Sequence, residues 1–179
     1  MGTGRVIASF GAFILCIALV VGALAVPRAE ANGARNFAAT ILDQHNRERA
    51  RFGLARLSWS GKLAREAQVW ADELARSNTM RHSTRAQRGG AGENLWAGSA
   101  GYYSPAQMID GFLQERRMFR AGNFPDVSTT GQWSDVGHYT QIIWPQTREV
   151  GCAIARGQGN DFLVCRYMPA GNVYGQPVG

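Results

Sequence analysis

The sequence predicts a single α/β domain, and three observations support this prediction. Three segments carry apolar residues at helical spacing, and two later segments have the composition of β-strands separated by a short polar turn. About 150 residues follow an apolar N-terminal segment, which is the usual size of one domain with one core. The sequence has no repeat and no low-complexity tract that would divide this domain.

The apolar N-terminal segment predicts export. Residues 6–26 are almost all apolar, one positive charge precedes them, and Ala29-Glu30-Ala31 follows as a cleavage site with small residues. We interpret residues 1–31 as a signal peptide that is cleaved after Ala31. This leaves residues 32–179 as a secreted domain, or a periplasmic one in a Gram-negative bacterium. The alternative is an uncleaved anchor, because the apolar run is long enough to cross a bilayer as a helix.

The chain is basic, with a formal charge of +6 at pH 7 and Lys62 as its only lysine. Its arginines are scattered along the sequence, and nucleic acid is scarce outside the cell, so we expect no nucleic-acid partner. Contact with an anionic membrane or a cell surface is compatible with this charge. Nothing in the sequence indicates an oligomer, and we expect a monomer.

Three amphipathic helices are predicted in chain order. The first spans residues 37–52 and ends before a glycine that supplies a stop signal. The second spans residues 61–76, with Ser60 in the position of a capping residue. The third begins with the capping-box sequence Ser104-Pro105-Ala106-Gln107 and runs to about residue 120.

Two long segments between these elements lack helical spacing. Residues 77–103 are rich in glycine, serine and asparagine, and only the surroundings of Leu95 and Trp96 indicate a short strand. Residues 121–137 form the second irregular stretch. Loops of this length in a compact domain are commonly functional or mobile.

Residues 149–155 and 162–167 predict a β-hairpin with its turn centred on residues 158–159. Counting outward from this turn places three pairs on one face: Val150 with Tyr167, Cys152 with Cys165, and Ile154 with Leu163. Export removes Cys16, so the two cysteines that remain lie opposite each other in an oxidising compartment. We therefore predict a disulfide between Cys152 and Cys165. Buried free thiols are the alternative.

The chain has three histidines, which can be weighed individually. His45 lies on the apolar stripe of the first helix, so we expect a buried side chain that links neighbouring elements by hydrogen bonds. His82 and His138 are predicted in irregular segments near glycines, where a side chain is well placed to reach a cleft. Taken alone, each of them is more often an ordinary surface or packing residue, because spacing does not show that the two come together.

Two glutamates occupy positions where a carboxylate is unexpected. Glu115 lies on the apolar stripe of the third helix, between Phe112 and Phe119, and Glu93 is flanked by a glycine and large apolar residues. A buried carboxylate needs a cation, hydrogen bonds, a metal ion or a proton, and an arginine is the ordinary partner. Two histidines and two carboxylates in one cleft could also bind zinc or divide general acid and base roles.

The sequence lacks the common signatures of several enzyme classes. It has no helical H-E-x-x-H zinc motif, no phosphate-binding P-loop, no dinucleotide fingerprint and no G-x-S-x-G nucleophile elbow. Cysteines joined in a disulfide cannot act as nucleophiles. These classes are therefore not indicated, although a triad among the many serines is not excluded by any such rule.

Four motifs follow one another along the chain: HNRER at residues 45–49, GENLW at 92–96, GHYTQIIWPQT at 137–147 and FLVCRYMPAGNV at 162–173. Together they resemble the CAP superfamily, the group that includes cysteine-rich secretory proteins, antigen 5 and pathogenesis-related proteins. The resemblance covers nearly the whole exported chain. It implies a three-layer α-β-α sandwich with a central antiparallel sheet and an open cleft on one side.

The resemblance also implies a set of functional residues. The cleft of this superfamily contains two histidines and two glutamates, which correspond here to His82, Glu93, Glu115 and His138. We expect these four residues to form one site that binds zinc or another divalent cation. His45 and Asn46 of the first motif are expected to be structural.

For function, the resemblance implies a secreted, non-catalytic binding protein. Several relatives bind sterols, fatty acids or other lipids, so the expected ligand is a lipid, a sterol or another small apolar molecule. One alternative is a metal-assisted hydrolase that uses the same four residues, and another is an adhesion or signalling module with a vestigial cleft. Few cysteines and the lack of a cysteine-rich C-terminal extension make the chain similar to the minimal microbial and Golgi-associated members.

Overall fold

A computed structural model of the protein describes residues 1, 2 and 28–179. The apolar run at residues 6–26 lies outside the described residues, so the signal peptide and its cleavage site stay predictions. None of the described helices combines the length and the hydrophobicity that a membrane span requires. In chain order the elements are α1 (Arg28–Ala50), β1 (Ser58–Trp59), α2 (Gly61–Ser77), β2 (Gly92–Ser99), α3 (Pro105–Leu113), a 3₁₀ helix (Gln114–Met118), β3 (Gly122–Asn123), a second 3₁₀ helix (Trp133–Val136), α4 (Gly137–Ile142), β4 (Glu149–Arg156), β5 (Asn160–Met168) and β6 (Pro177–Val178).

The central sheet has four strands in the order β1-β4-β5-β2. Strands β4 and β5 form the predicted hairpin, and its register is confirmed: Val150 pairs with Tyr167, Cys152 with Cys165, and Ile154 with Leu163. The two cysteines are joined as a disulfide with a Cα–Cα distance of 4.1 Å. The sheet is not fully antiparallel as expected, because the two-residue strand β1 pairs in parallel with β4.

The sheet lies between two layers of helices, and this confirms the predicted α/β fold. Helix α2 packs on one face of β4 and β5, while α1, α3 and α4 cover the other face. Because side chains alternate across a strand, β5 sends Val164 towards α2 and its neighbours Leu163 and Cys165 towards the opposite layer. Chain length predicted a single core, whereas the structure has two apolar clusters, one on each face of the sheet.

The ends of α2 and α3 agree only in part with the capping and length predictions made from the sequence. The capping box of α3 is confirmed, because the Ser104 side chain accepts from Gln107 N and the Gln107 side chain accepts from Ser104 N. Ser60 does stand at the N-cap of α2, but its side chain makes no capping bond. The third helix was predicted to run to about residue 120, whereas the α-helix ends at Leu113 and the chain tightens into a 3₁₀ helix.

The first motif connects α1 to the rest of the domain. His45 is fully buried, with Nδ1 bonded to the Ile41 carbonyl at 2.8 Å and Nε2 bonded to the Tyr167 hydroxyl at 2.9 Å. Asn46 forms two bonds to the backbone of Leu57, accepting from its N–H at 2.7 Å and donating to its carbonyl at 3.1 Å. Burial lowers the pKa of His45 to about 4, so this imidazole is neutral at pH 7.

Arg49 in the same motif is a buried cation that binds carbonyl oxygens. Its guanidinium donates to the carbonyls of Ala55 at 2.8 Å, Ile142 at 2.9 Å, Trp144 at 2.8 Å and Thr147 at 3.1 Å. Burial and the charge of Arg148 lower the pKa of Arg49 to about 10, which keeps it charged at neutral pH. One side chain thus fixes α1 to the segment that connects α4 with β4.

Candidate functional site

The cleft that contains His82 and His138 has a volume of about 660 Å³. Its walls come from four separate parts of the chain: the loop before β2 and the start of that strand, the segment around Phe124, the region where α4 begins, and the segment that follows β5. Its lining includes charged, imidazole and aromatic side chains: His82, Arg85, Arg88, Glu93, Phe124, Trp133, His138 and Tyr174.

His82 enters the cleft from a loop, as predicted, and is held there by Glu93 of β2. Its Nδ1 lies 2.6 Å from Oε1 of Glu93, which also accepts from the backbone N–H of Ser83 at 3.0 Å. The second carboxylate oxygen accepts from the Ser83 hydroxyl at 2.9 Å and from Arg166 at 3.1 Å. One glutamate therefore fixes both the ring of His82 and the backbone beside it.

Glu93 is ionised despite its burial. Both Glu93 and its partner Arg166 have side chains that are 1% exposed. Burial alone would raise the pKa of Glu93, but the hydrogen bond from His82, the charge of Arg166 and the bonds from Ser83 together lower it. Arg166 thus compensates the buried charge of Glu93. Removing either partner would leave an uncompensated buried charge.

His138 is held in the same manner by Glu115. Its Nδ1 lies 2.5 Å from Oε1 of Glu115, and its ring stacks on Phe112 with centroids 4.7 Å apart. The other oxygen of Glu115 accepts from the backbone N–H groups of His138 and Tyr139, both at 3.0 Å. These N–H groups belong to the first turn of α4, so Glu115 caps this helix as well as orienting the ring.

Helix α4 itself was not predicted, and the placement of His138 in an irregular segment is wrong. The helix has six residues, too few to show a period, and its N-cap residue Val136 has no capping side chain. The cap comes from Glu115, more than twenty positions earlier in the chain. No local signal could therefore have marked the start of this helix.

The four predicted residues do not gather as four ligands of one metal ion. Within the described part of the chain, no group of three or more histidine, cysteine, aspartate or glutamate side chains is arranged to hold a metal. Both glutamates are occupied by histidine Nδ1 atoms and by other donors, and Glu115 does not line the cleft. The structure instead has two His–Glu pairs whose imidazoles face one cleft.

This pairing decides which histidine atoms are available to a ligand. In both rings Nδ1 is engaged by a carboxylate, whereas neither Nε2 has a hydrogen-bond partner among residues 28–179. The side chain of His82 is 60% exposed and that of His138 is 34% exposed. The cleft thus presents two oriented imidazoles, each with one nitrogen open to solvent.

Two polar residues that sequence reasoning missed form hydrogen bonds beside the cleft. Asn94 donates to the backbone carbonyl of His138 at 3.0 Å and to the hydroxyl of Tyr167 at 3.2 Å, which connects the site to the buried His45. Gln141 accepts from the N–H of Gly171 at 2.9 Å. No separate signal marks either residue, because Asn94 directly follows Glu93 and Gln141 directly follows Thr140.

Two further groups of side chains line the cleft. We call Arg85 and Arg88 the basic wall, and Phe124, Trp133 and Tyr174 the aromatic wall. Phe124 is buried, and its ring centroid lies 5.2 Å from that of Trp133 and 5.3 Å from that of Tyr174. Trp133 and Tyr174 remain 41% and 68% exposed. The cleft therefore combines open imidazole nitrogens, guanidinium groups and exposed aromatic surface.

Comparison with known proteins agrees with this architecture. The chain is 32% identical over 172 residues to pathogenesis-related protein PR-1 of Medicago truncatula, which covers 94% of this chain and 95% of that protein. It is 35% identical over 142 residues to secreted protein RBT4 of Candida albicans, which covers 78% of this chain and 36% of that protein. Among solved structures, that of NaASP2 with Zn²⁺ has a TM-score of 0.68 at 25% identity, covering 79% of this chain and 84% of that one.

A family model extends the match across the site. The model described as the cysteine-rich secretory protein family, abbreviated CAP, matches residues 42–167. This range contains both His–Glu pairs, the disulfide and the α1 motif. The chain belongs to the CAP family of cysteine-rich secretory proteins.

Proposed function

We propose that this is an exported, non-catalytic binding protein whose cleft takes a small apolar ligand, such as a lipid or a sterol, together with a divalent cation. The observation that carries the proposal is the pair of imidazoles that face the cleft, each held at Nδ1 by a glutamate. The aromatic wall of the same cleft supports the apolar ligand. Export is supported by the predicted signal peptide and by a relative whose name calls it a secreted protein.

The donor set suits a metal ion held by His82 and His138. A histidine that binds metal through one nitrogen commonly donates its other N–H to a carboxylate, which fixes the tautomer and strengthens the ligand. Glu93 and Glu115 occupy these outer positions. Two protein ligands leave room for water or for a ligand atom, and zinc accepts such mixed coordination. The similar structure of NaASP2 with Zn²⁺ favours zinc as the ion.

The aromatic wall suits an apolar ligand because exposed aromatic rings lose water when a ligand covers them. Ligand sites are typically concave and mostly apolar, with a few polar groups that fix orientation, and their volumes run from about 300 to 1,000 Å³. The cleft volume of about 660 Å³ lies within this range. Trp133 and Tyr174 supply the apolar surface, and the two imidazoles supply the polar groups.

The experiment is calorimetric titration of zinc into the exported protein and its variants. We expect one site in the wild type and a loss of at least about tenfold in affinity for both His82→Gln and His138→Gln, because each removes one ligand. The control is Ser134→Ala, which alters another exposed side chain of the same cleft. Absence of zinc binding in the wild type, or equal affinity in His138→Gln, would contradict the metal site.

Mass spectrometry of the exported protein examines the same proposal without an added ligand. Under native conditions we expect an apolar molecule to copurify, and its amount should fall in Trp133→Ala because the exposed ring is lost. The denatured protein should have the mass of a chain beginning at Asn32. A chain that still begins at Met1 and stays in the membrane would contradict the export step.

A further inference from the structure

We infer that the basic wall, Arg85 and Arg88, selects a ligand with an anionic oxygen group, so that the ligand of this cleft is an acidic amphiphile. The inference rests on the proposed function and narrows the ligand class. It assigns the apolar part of the ligand to the aromatic wall and its carboxylate or phosphate to the two guanidinium groups.

Both arginines belong to one short turn that is closed by hydrogen bonds. Thr84 and Gln87 close this turn reciprocally, because Thr84 N donates to the Gln87 side chain at 2.9 Å and Gln87 N donates to the Thr84 hydroxyl at 3.2 Å. The backbone N–H of Arg88 then bonds to the Thr84 carbonyl at 3.2 Å. Both arginines of this turn line the cleft.

The charges around the basic wall are not neutralised by the protein. Neither arginine forms an ion pair with any residue in the described range; Arg88 donates only to the carbonyl of Ser83. Glu93 is the one acidic side chain among the described residues that line the cleft, and Arg166 and His82 already engage it. An anionic ligand is therefore the group that would complete this side of the cleft.

The chemistry of the wall indicates which ligands use it. A guanidinium presents several N–H donors in a fixed plane and binds carboxylate or phosphate oxygens with charge-assisted hydrogen bonds. A neutral hydroxyl, such as that of a sterol, would leave at least one of the two guanidinium groups without a charged partner. The combination of Arg85 and Arg88 with Trp133 and Tyr174 thus favours an acidic amphiphile over a neutral one.

The experiment compares ligands that share a twelve-carbon chain and have either an anionic or an uncharged head group. Dodecanoate, dodecyl phosphate and methyl dodecanoate are used to displace the uncharged dye Nile red from chelator-treated protein, below the micelle concentration of each amphiphile. Chelation excludes a metal ion as the anion receptor. We expect both acids to bind at least about tenfold more tightly than the ester, since charge-assisted hydrogen bonds contribute this much. Added salt should reduce the preference because it screens an exposed charge pair.

The variants connect the preference to the basic wall. Arg85→Gln with Arg88→Gln should bring the affinity for the acids down to that for the ester, and Arg85→Gln alone should remove part of the preference. Arg85→Gln avoids disturbing the bond from Arg88 to Ser83. The control is Arg65→Gln, which removes one positive charge from an exposed residue of α2 that lies outside the cleft.

Three other results of the displacement experiment would overturn the inference. Equal affinity for acid and ester in the wild type would overturn this inference and leave the proposed apolar ligand intact. Binding of none of the three ligands would overturn the apolar ligand and this inference with it. Acetate and inorganic phosphate are tested as free anions. If acetate bound as tightly as dodecanoate, or inorganic phosphate as tightly as dodecyl phosphate, the ligand would be a free anion and the amphiphile assignment would fall.

Discussion

Replacement of Arg49 by lysine is expected to destabilise the domain strongly, although the charge is kept. The Arg49 guanidinium donates four hydrogen bonds to backbone carbonyls, at distances of 2.8 to 3.1 Å, and the residue is fully buried. A lysine ammonium is a single point with three donors, so it cannot reach carbonyls spread around a planar fork. About two of the four carbonyls would therefore lose this partner.

The expected cost follows from those lost bonds. A buried acceptor without a partner costs about 1–3 kcal/mol, so two lost bonds give a decrease of about 2–6 kcal/mol in the free energy of unfolding. The carbonyls of Trp144 and Thr147 lie at the lower end of this range, because the first also accepts from the N–H of Thr147 and the second also accepts from the guanidinium of Arg148. This loss is a large part of the stability of an ordinary domain.

Urea denaturation followed by tryptophan fluorescence measures the change. The matched control is Arg47→Lys, two positions away on α1, whose side chain is 69% exposed and, among residues 28–179, pairs only with Asp43 at the surface. That substitution should change the free energy of unfolding by less than about 0.5 kcal/mol. If Arg49→Lys were as stable as Arg47→Lys, the carbonyl contacts would not fix α1 to the domain and the reasoning would fail.

Two further predictions concern pH and capping. Burial lowers the pKa of His45 to about 4; the unfolded chain binds a proton near the ordinary histidine value, so stability decreases as pH falls, by about 2 kcal/mol between pH 7.5 and pH 5. Denaturation at both pH values checks this, and an equally large decrease in His45→Gln would exclude His45 as its source. Ser104→Ala should lower the free energy of unfolding by about 1 kcal/mol because it removes the capping bond to Gln107. Ser60→Ala should have almost no effect, since Ser60 makes no such bond; equal losses in thermal or urea denaturation of the two variants would refute the assignment of the cap.

Local chemistry explains the parts of the structure that the sequence predicts. The hairpin register follows from counting outward from one turn, and it places Cys152 opposite Cys165 without any tertiary information. The capping box of α3 depends on residues three positions apart. Glu115 was marked as unusual because a carboxylate on an apolar stripe needs partners, and the structure supplies those partners.

The cleft is harder to predict because its walls come from distant segments. The aromatic wall combines Phe124, Trp133 and Tyr174, which have no common period, and each alone looks like an ordinary apolar residue. Arg85 and Arg88 are two among many scattered arginines, and only their position beside the cleft distinguishes them. Spacing in the sequence contains no information about such convergence, whereas the fold determines it.

The two glutamates of the site have structural duties that limit how they can be used to study function. Glu93 compensates the buried charge of Arg166, and Glu115 caps the first turn of α4. Replacing either glutamate would weaken the fold and disorder a cleft imidazole at the same time, so a loss of ligand binding would have two explanations. The open Nε2 atoms of His82 and His138 support no other element, because neither has a hydrogen-bond partner in the described residues. Histidine variants therefore separate binding from stability more cleanly than glutamate variants do.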